Sequence, residues 1–341
     1  MKKKILLSLM LPGVLFVILF AFQKEKEYEI VADGYLNTVS SITISSKSNP
    51  EEELAYCKSL IEMYDRLFSV NNAESDIYKI NNSEGKIKVS QECYDLIKEA
   101  AAFYYDTEGK FDITIGNLSD IWTNTFSTKI LPEPEEIEYA KSLCNYSALK
   151  FYDEDLSVEK TVKNQKLNLG AIAKGYITDK IVEYLKSCDV GGSLINLGGN
   201  VFGYGTKADG EKWKVGITDP NKRDEILMSL EICNECVITS GDYERYADIE
   251  NVRYHHIIDA KTGHPAKTGL KSVTIISDNA TRADALSTSC FLMGIDESKR
   301  LLNKYDVLAV FVTDDNKVYY SSKLKQRMQI YSQDYEFFEF N

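Results

Sequence analysis

The spacing of hydrophobic and polar positions changes along this chain, and each change marks an element. Residues 51–69, EEELAYCKSLIEMYDRLFS, put Leu54, Cys57, Leu60, Ile61, Tyr64, Leu67 and Phe68 on one face of a 3.6-residue turn. That spacing predicts an amphipathic helix. Residues 90–109, SQECYDLIKEAAAFYYDTEG, predict another, with Ser90 as its cap and Gly109 as its stop. Residues 35–46, YLNTVSSITISS, alternate with period two and read as a strand. Residues 128–143, TKILPEPEEIEYAKSL, begin as a connection marked by Pro132 and Pro134 and end in a short helix. A hairpin is expected at 148–160, and a turn opening a long helix at 167–188. GSLINLGGNVFGYG (192–205) and KWKVGITDP (212–220) read as strands with Gly-rich ends. Residues 236–259 read as two strands joined by a turn. KSVTIIS (271–277) is a strand leading into a helix at 279–293, and 307–322 is a hairpin. Helices and strands interleave and hairpins are many, so the fold class is α+β, with a mixed, largely antiparallel sheet and packed helices. No internal repeat or low-complexity segment interrupts this pattern.

The first residues, MKKKILLSLMLPGVLFVILFAFQKEKEYE, follow a different rule. Lys2, Lys3 and Lys4 precede an uncharged run from Ile5 to Phe22. That length lies between a signal peptide and a membrane span. No small-x-small cleavage site follows, and no Cys near the end of the run offers a lipid attachment point. The expectation is an uncleaved membrane anchor over residues 1–27, the alternative being a cleaved signal. A single body over residues 28–341 would then lie on the extracytoplasmic face of the cell membrane, because the lysine cluster stays inside. The net charge of −12 becomes −15 once the three lysines of that segment are set aside. Such a field argues against nucleic acid as a partner. Seven scattered cysteines in a chain of 341 residues do not suggest a disulfide framework. The C-x-x-C of Cys233 and Cys236 has no second pair and no nearby His, so plain strand or turn cysteines are expected there.

Four stretches bear on chemistry. Gly203, Gly205 and Ala208 match G-x-G-x-x-A, but a turn and a strand follow where a dinucleotide fingerprint needs a helix. LNLGAIAKGY (167–176) has Gly170 beside a helix start and Lys174 one turn in. A helix N-terminus with a lysine suits a phosphate; a tight packing turn with a solvated lysine is the alternative. RYHHIIDAKTGHPA (253–266) holds all three histidines of the chain. His255 and His256 are adjacent, so in a strand they point to opposite faces and only one meets a given pocket. A neutral imidazole there could serve as a general base. Finally, in NATRADALSTSC (279–290), Asp284, Ser287 and Thr288 fall at i, i+3 and i+4, on one helical face. Hard oxygens of this kind suit Mg²⁺, which takes few protein ligands and completes its shell with substrate phosphate and water. The alternative is structural: Asn279 or Thr281 caps the helix and the hydroxyls bond back to carbonyls.

Taken together, LNLGAIAKGYITD, VITSGDYERYADIENVRYHHIIDAKTGHPA and SVTIISDNATRADALSTSCFLMG resemble the ApbE family of FAD:protein FMN transferases. SLINLGGNVFGYG, LFSVNNAESDIYKIN and GKFDITIGNL are also similar to motifs of that family, and the likeness spans roughly residues 30–335. The resemblance implies an ApbE/T-fold-like architecture and a reaction. FAD is split at its pyrophosphate with Mg²⁺, FMN passes to a Ser or Thr hydroxyl of an acceptor flavoprotein as a phosphoester, and AMP leaves. It also implies roles. Asp284, Ser287, Thr288 and the backbone carbonyl of Ala171 would hold Mg²⁺. Leu36, Asn71, Lys110, Phe111, Asp112, Asn168, Lys174 and Ile258 would contact FAD, and His256 would be the base. Membrane redox-pump subunits are the acceptors that the resemblance suggests. Two positions depart from the family. Asn71 stands where relatives often have Tyr and cannot stack on a ring, and Asn168 stands at the acidic position of the family's D-L-G. Hydrolysis of FAD to FMN and AMP, or storage of FAD without catalysis by an exported protein, are the competing functions.

Overall fold

The computed structural model describes residues 25–36 and 38–341. The expected anchor falls almost wholly on residues 1–24, outside the described residues. No helix among the described residues is long and apolar enough to cross a membrane.

The body opens with strands β1 (Lys26–Tyr35) and β2 (Thr38–Ser46). Helices α1 (Glu51–Phe68) and α2 (Asp76–Asn82) follow, then β3 (Gly85–Lys88), α3 (Gln91–Asp106), α4 (Gly116–Thr128) and α5 (Pro134–Ser142). β4 (Leu149–Tyr152) and β5 (Ser157–Lys160) join β3 in a small sheet ahead of α6 (Ala173–Lys186). Next come β6 (Gly192–Leu197), β7 (Asn200–Gly205), β8 (Trp213–Asp219), β9 (Lys222–Ile232) and β10 (Glu235–Gly241). Two short ribbons follow: β11 (Tyr246–Ile249) with β12 (Val252–His255), and β13 (Ile258–Asp259) with β14 (His264–Pro265). The chain ends with β15 (Leu270–Ser277), α7 (Ala280–Met293), α8 (Ile295–Tyr305), β16 (Leu308–Thr313), β17 (Lys317–Ser321), β18 (Met328–Ile330) and β19 (Glu336–Phe340).

A nine-stranded sheet, ordered β1-β2-β6-β7-β10-β15-β16-β17-β19, is the backbone of the molecule. Its pairs are antiparallel except β17 with β19. Its central strands are covered on both faces, so neighbouring residues serve different cores. In β16, Ala309 and Phe311 pack under the helices, while Val310 and Val312 pack against the outer sheet of β18, β9 and β8. A strand buried on both sides reads as an unbroken apolar run, which is why LAVFVT carries no polar alternation. A third cluster of Leu118, Trp122, Ile137, Ala140 and Ile258 sits under α4 and α5.

The α+β class and largely antiparallel sheet read from the sequence are those observed. Ser90 caps α3 by accepting the Cys93 N–H. Three local readings need correction. The strand expected at 35–46 is β2, which begins only at Thr38: Tyr35 closes β1, its hairpin partner, and Leu36 takes the turn at φ 56°. The segment 236–259 contains four strands where two were read. Its extra turn, Glu250–Asn251, has φ 51° and 64° without the glycine that normally announces such a turn. Helices α2, α4 and α8 were not read; α2 is only seven residues long, and α4 shows no wide apolar stripe.

The antiparallel strands sort the molecule into two poles. The β1–β2 turn and the Gly198–Gly199 turn between β6 and β7 share one pole, where Gly198 lies against Thr38. Lys26, Ser46, Gly192 and Gly205 lie at the other.

Candidate active site

The site is built where α6 crosses α7. Gly175 makes that crossing possible: a Cβ there would stand 2.2 Å from the Ala280 carbonyl oxygen and 2.8 Å from Asp284 Cβ. The close approach lets the Gly175 N–H, one of the unpaired donors of the first turn of α6, reach Asp284 Oδ2 at 2.9 Å. The other oxygen, Oδ1, accepts from Asn200 Nδ2 at 2.9 Å, and Asn200 Oδ1 accepts from Lys174 Nζ at 3.1 Å. One amide therefore ties the buried carboxylate to the lysine. Asp179, one turn along α6, accepts from the Ala280 N–H and the Thr281 N–H at 2.8 Å and from Thr281 Oγ1 at 2.6 Å. It clamps the positive start of α7 onto α6. Asn279 caps α7 by accepting the Arg282 N–H, so of the two caps considered it is Asn279 that acts.

α7 is buried on almost every side. Its small residues allow α6, β10 and β15 to close on it, and its polar residues find partners within that packing. Asp284, Ser287 and Thr288 share a face, as their spacing requires. Ser287 Oγ donates back to the Asp284 carbonyl at 2.8 Å, so part of the structural alternative holds. Ser240, at the end of β10, lies 2.7 Å from Ser287 Oγ and 3.1 Å from Thr288 Oγ1. Ser287 is fully buried, whereas Thr288 is half-buried.

The two neighbouring histidines have different surroundings, but not through strand alternation: His255 closes β12, whereas His256 lies in the bend after it. His255 is buried; its Nδ1 accepts the Ile257 N–H and its Nε2 lies 3.0 Å from the Ala266 carbonyl. Burial pushes its pKa down to about 4. His256 is half-buried, with a buried Nδ1 that has no partner. Burial, then the nearby Arg245 guanidinium, with His255 and Lys174 adding to it, push the His256 pKa down to about 3. Its imidazole is neutral at pH 7. Arg245 is joined to it by backbone, its carbonyl accepting the His256 N–H at 3.0 Å. Arg245 forms no ion pair among the described residues.

The other predicted contact residues are distributed around this centre. Asn168 Oδ1 accepts the Gly170 N–H, which fixes the turn into α6 beside Ala171. Leu36 donates its N–H to Asp65 in the β1–β2 turn, and Asn71 is exposed between α1 and α2. Lys110 reaches Glu297 in α8 and the Leu292 carbonyl, which is at the far end of α7 and about 12 Å along that helix from Asp284. Phe111 is buried against Phe103. Asp112 accepts from Thr114 and from the Tyr146 N–H; burial raises its pKa against those bonds. Ile258 belongs to the core under α4. The Phe111 and Ile258 side chains are committed to packing and the Asp112 carboxylate to hydrogen bonds, so contact with a ligand is left to their backbone.

Asn200, Ser240 and Arg245 lie in stretches singled out in the sequence, but carried no assigned role. Asn200 and Ser240 both fall inside segments that read as plain strands. Cys233 and Cys236 flank the turn between β9 and β10. Cys236 is fully buried, with Sγ 3.1 Å from the Ser277 carbonyl, and both are free thiols. The described residues contain no group of three or more His, Cys, Asp or Glu arranged to hold a metal. That excludes a carboxylate cage but not a site of one carboxylate and hydroxyls. The donors of α7 are hard oxygens around a single charge, and this set fits Mg²⁺ shared with phosphate.

The sequence profile of the ApbE family matches residues 36–312. An FAD:protein FMN transferase of Treponema pallidum is 31% identical over 321 residues, covering 88% of each chain. One of Klebsiella pneumoniae is 33% identical over 292 residues, covering 84% of this chain and 90% of the other. The crystal structure of the ApbE protein of Thermotoga maritima superposes with a TM-score of 0.81 at 35% identity, over 89% of this chain and 99% of that one.

Proposed function

This chain belongs to the ApbE family and is a flavin transferase, and from that premise we propose that it works with Mg²⁺ at the face formed by Lys174, His256 and Asp284. It moves FMN from FAD to a Ser or Thr hydroxyl of an acceptor flavoprotein. The acceptor oxygen attacks the phosphorus of the FMN half, the bond to the AMP phosphate breaks, and AMP leaves with the electron pair. Negative charge grows on phosphoryl oxygens in such a transfer, so positioned cations do most of the work. Lys174 and the start of α6 would receive the diphosphate. Asp284, Thr288, Ser287 and the Ala171 carbonyl would hold Mg²⁺, which when bound neutralises phosphoryl charge. Leu36, Asn71, Asn168, Lys110 and the backbone of Phe111, Asp112 and Ile258 would line the rest of the FAD site.

The observation that carries this reading is the neutral His256 imidazole with its unpartnered Nδ1. A Ser or Thr hydroxyl is a poor nucleophile until a base takes its proton. Burial, with the charges of Arg245, His255 and Lys174 adding to it, keeps His256 a weak base. The arriving diphosphate brings opposite charge into the same field, which raises the imidazole's proton affinity when the hydroxyl must be deprotonated. Asn71 favours a second reading, hydrolysis of FAD to FMN and AMP, because it gives a flavin nothing to stack on.

Incubation with FAD, Mg²⁺ and an acceptor carrying a flavinylation site separates the readings. Fluorescent flavin on the acceptor supports transfer; AMP and free FMN without labelling support hydrolysis; intact bound FAD supports storage. Asp284→Ala is expected to abolish turnover, and normal activity in that variant would refute the metal assignment. Residues 1–27 are proposed as a membrane anchor with the body extracytoplasmic, where membrane redox-pump subunits are candidate acceptors. Recovery of the full-length chain in the soluble fraction would reject the anchor.

A further inference from the structure

Three hydroxyls meet beside Asp284, and their proton count fixes their directions. A hydroxyl has one proton and two acceptor lone pairs. Ser287 gives its proton to the Asp284 carbonyl at 2.8 Å. The 2.7 Å contact between Ser240 and Ser287 therefore uses the Ser240 proton. With that proton committed, the 3.1 Å contact between Ser240 and Thr288 uses the Thr288 proton. The chain runs Thr288 to Ser240 to Ser287 to the Asp284 carbonyl. It ends on backbone, so it cannot reverse without losing a bond. Thr288 and Ser240 are half-buried, and the chain's other end, Ser287 with Asp284, is sealed in the core.

This direction matters for a cation. Thr288 turns its proton toward β10 and keeps both lone pairs free. Ser287 has already spent a lone pair on Ser240. The backbone of Ser240 is held by the β10–β15 ladder, opposite Val273, so the acceptor sits on a rigid element.

We propose that Ser240 is a positioning residue that turns the Thr288 hydroxyl so that its lone pairs face the Asp284 carboxylate side of α7, where a divalent cation binds. The proposal rests on the Mg²⁺ reading above. Residues that orient a ligand without touching the metal are commonly worth about ten- to a hundredfold in metal affinity.

The test is the Mn²⁺ affinity of the full-length chain, read from loss of the free-ion electron paramagnetic resonance signal, with FAD present and no acceptor. Ser240→Ala is expected to weaken Mn²⁺ binding about tenfold, with FAD binding in EDTA and the thermal midpoint in EDTA unchanged. Ser240→Thr, which keeps the hydroxyl, restores affinity. In a Thr288→Val background, Ser240→Ala has no further effect. Wild-type Mn²⁺ affinity in Ser240→Ala, or independent losses that add in the double variant, overturns the proposal. Should the alanine variant fail to fold, Ser240→Cys takes its place, being close in size but a poor hydrogen-bonding partner. It is expected to show a loss of the same size, and wild-type affinity in it equally overturns the proposal. Asp284→Ala keeps the two ideas apart: if it binds Mn²⁺ as the wild type does, the metal reading fails, whatever Ser240 does.

Discussion

Gly175→Ala sets two effects against each other. Gly175 lies inside α6, where alanine is the better helix former by about 1 kcal/mol. Propensity alone predicts a more stable protein. The packing predicts the reverse. The added carbon would stand 2.2 Å from the Ala280 carbonyl oxygen, which is backbone and cannot rotate away. An ordinary contact needs roughly 1.3 Å more, so α6 and α7 must separate by about that distance. Overpacking of this kind costs about 1–3 kcal/mol. Separation also stretches the 2.9 Å bond from the Gly175 N–H to Asp284. A hydrogen bond to a charged group is worth about 1.5–3 kcal/mol. After subtracting the propensity gain, the net loss is about 3 kcal/mol. Urea unfolding followed by far-UV circular dichroism measures it as a lower midpoint at unchanged slope. Because Lys174 and Asp284 move apart together, flavin transfer is expected to fall about a hundredfold. An alanine variant with a midpoint at or above the wild type would refute the claim that the helices meet on this glycine.

His256→Ala is expected to slow transfer by about 10²–10⁴ while FAD affinity, measured by fluorescence titration, stays close to wild type; an unchanged rate removes its role as base. His255 gives a stability signal. The folded protein keeps it neutral down to about pH 4, while an unfolded imidazole binds a proton below its ordinary 6.5. Its contribution is therefore full above pH 6.5 and falls by about 1.4 kcal/mol per unit on the way down to pH 4. Urea midpoints of His255→Gln and wild type, compared at pH 7 and pH 5, should converge at the lower pH; a constant difference would show that the shift is absent. Asn71→Tyr supplies a ring at the exposed turn after α1 and should tighten FAD binding about tenfold; no change in affinity would place that turn away from the ligand.

The sequence made some of this plain. Helices α1 and α3 bury one face, so their apolar spacing stands out, and the Ser90 cap could be named before any coordinates. The adjacent histidines had to diverge if both lay in a strand; β12 ends at His255, so His256 falls in the bend beyond it. Which of them faces the site came from the family resemblance, since period two makes the two equivalent. α7 was legible for the opposite reason to α1: oxygen-bearing residues occupy a helix that otherwise lacks a polar side. Asn200 was not legible. It lies 84 residues from Asp284 in the chain and owes its role to the crossing of α6 over α7, which no local pattern encodes. The same holds for Ser240, 47 residues from Ser287. The ribbon β11–β12 escaped because Glu250–Asn251 turns without glycine.

β1 enters the body at Lys26 and reaches the pole of the β1–β2 turn only ten residues later, about 30 Å away. It is also an outermost strand, held to the sheet by β2 alone. Mechanical load applied at Lys26 thus falls first on the end of the sheet far from the β1–β2 turn and from Asn200. Under such a pull the border strand would peel from its neighbour rung by rung, and the junction of α6 with α7 would feel the strain last.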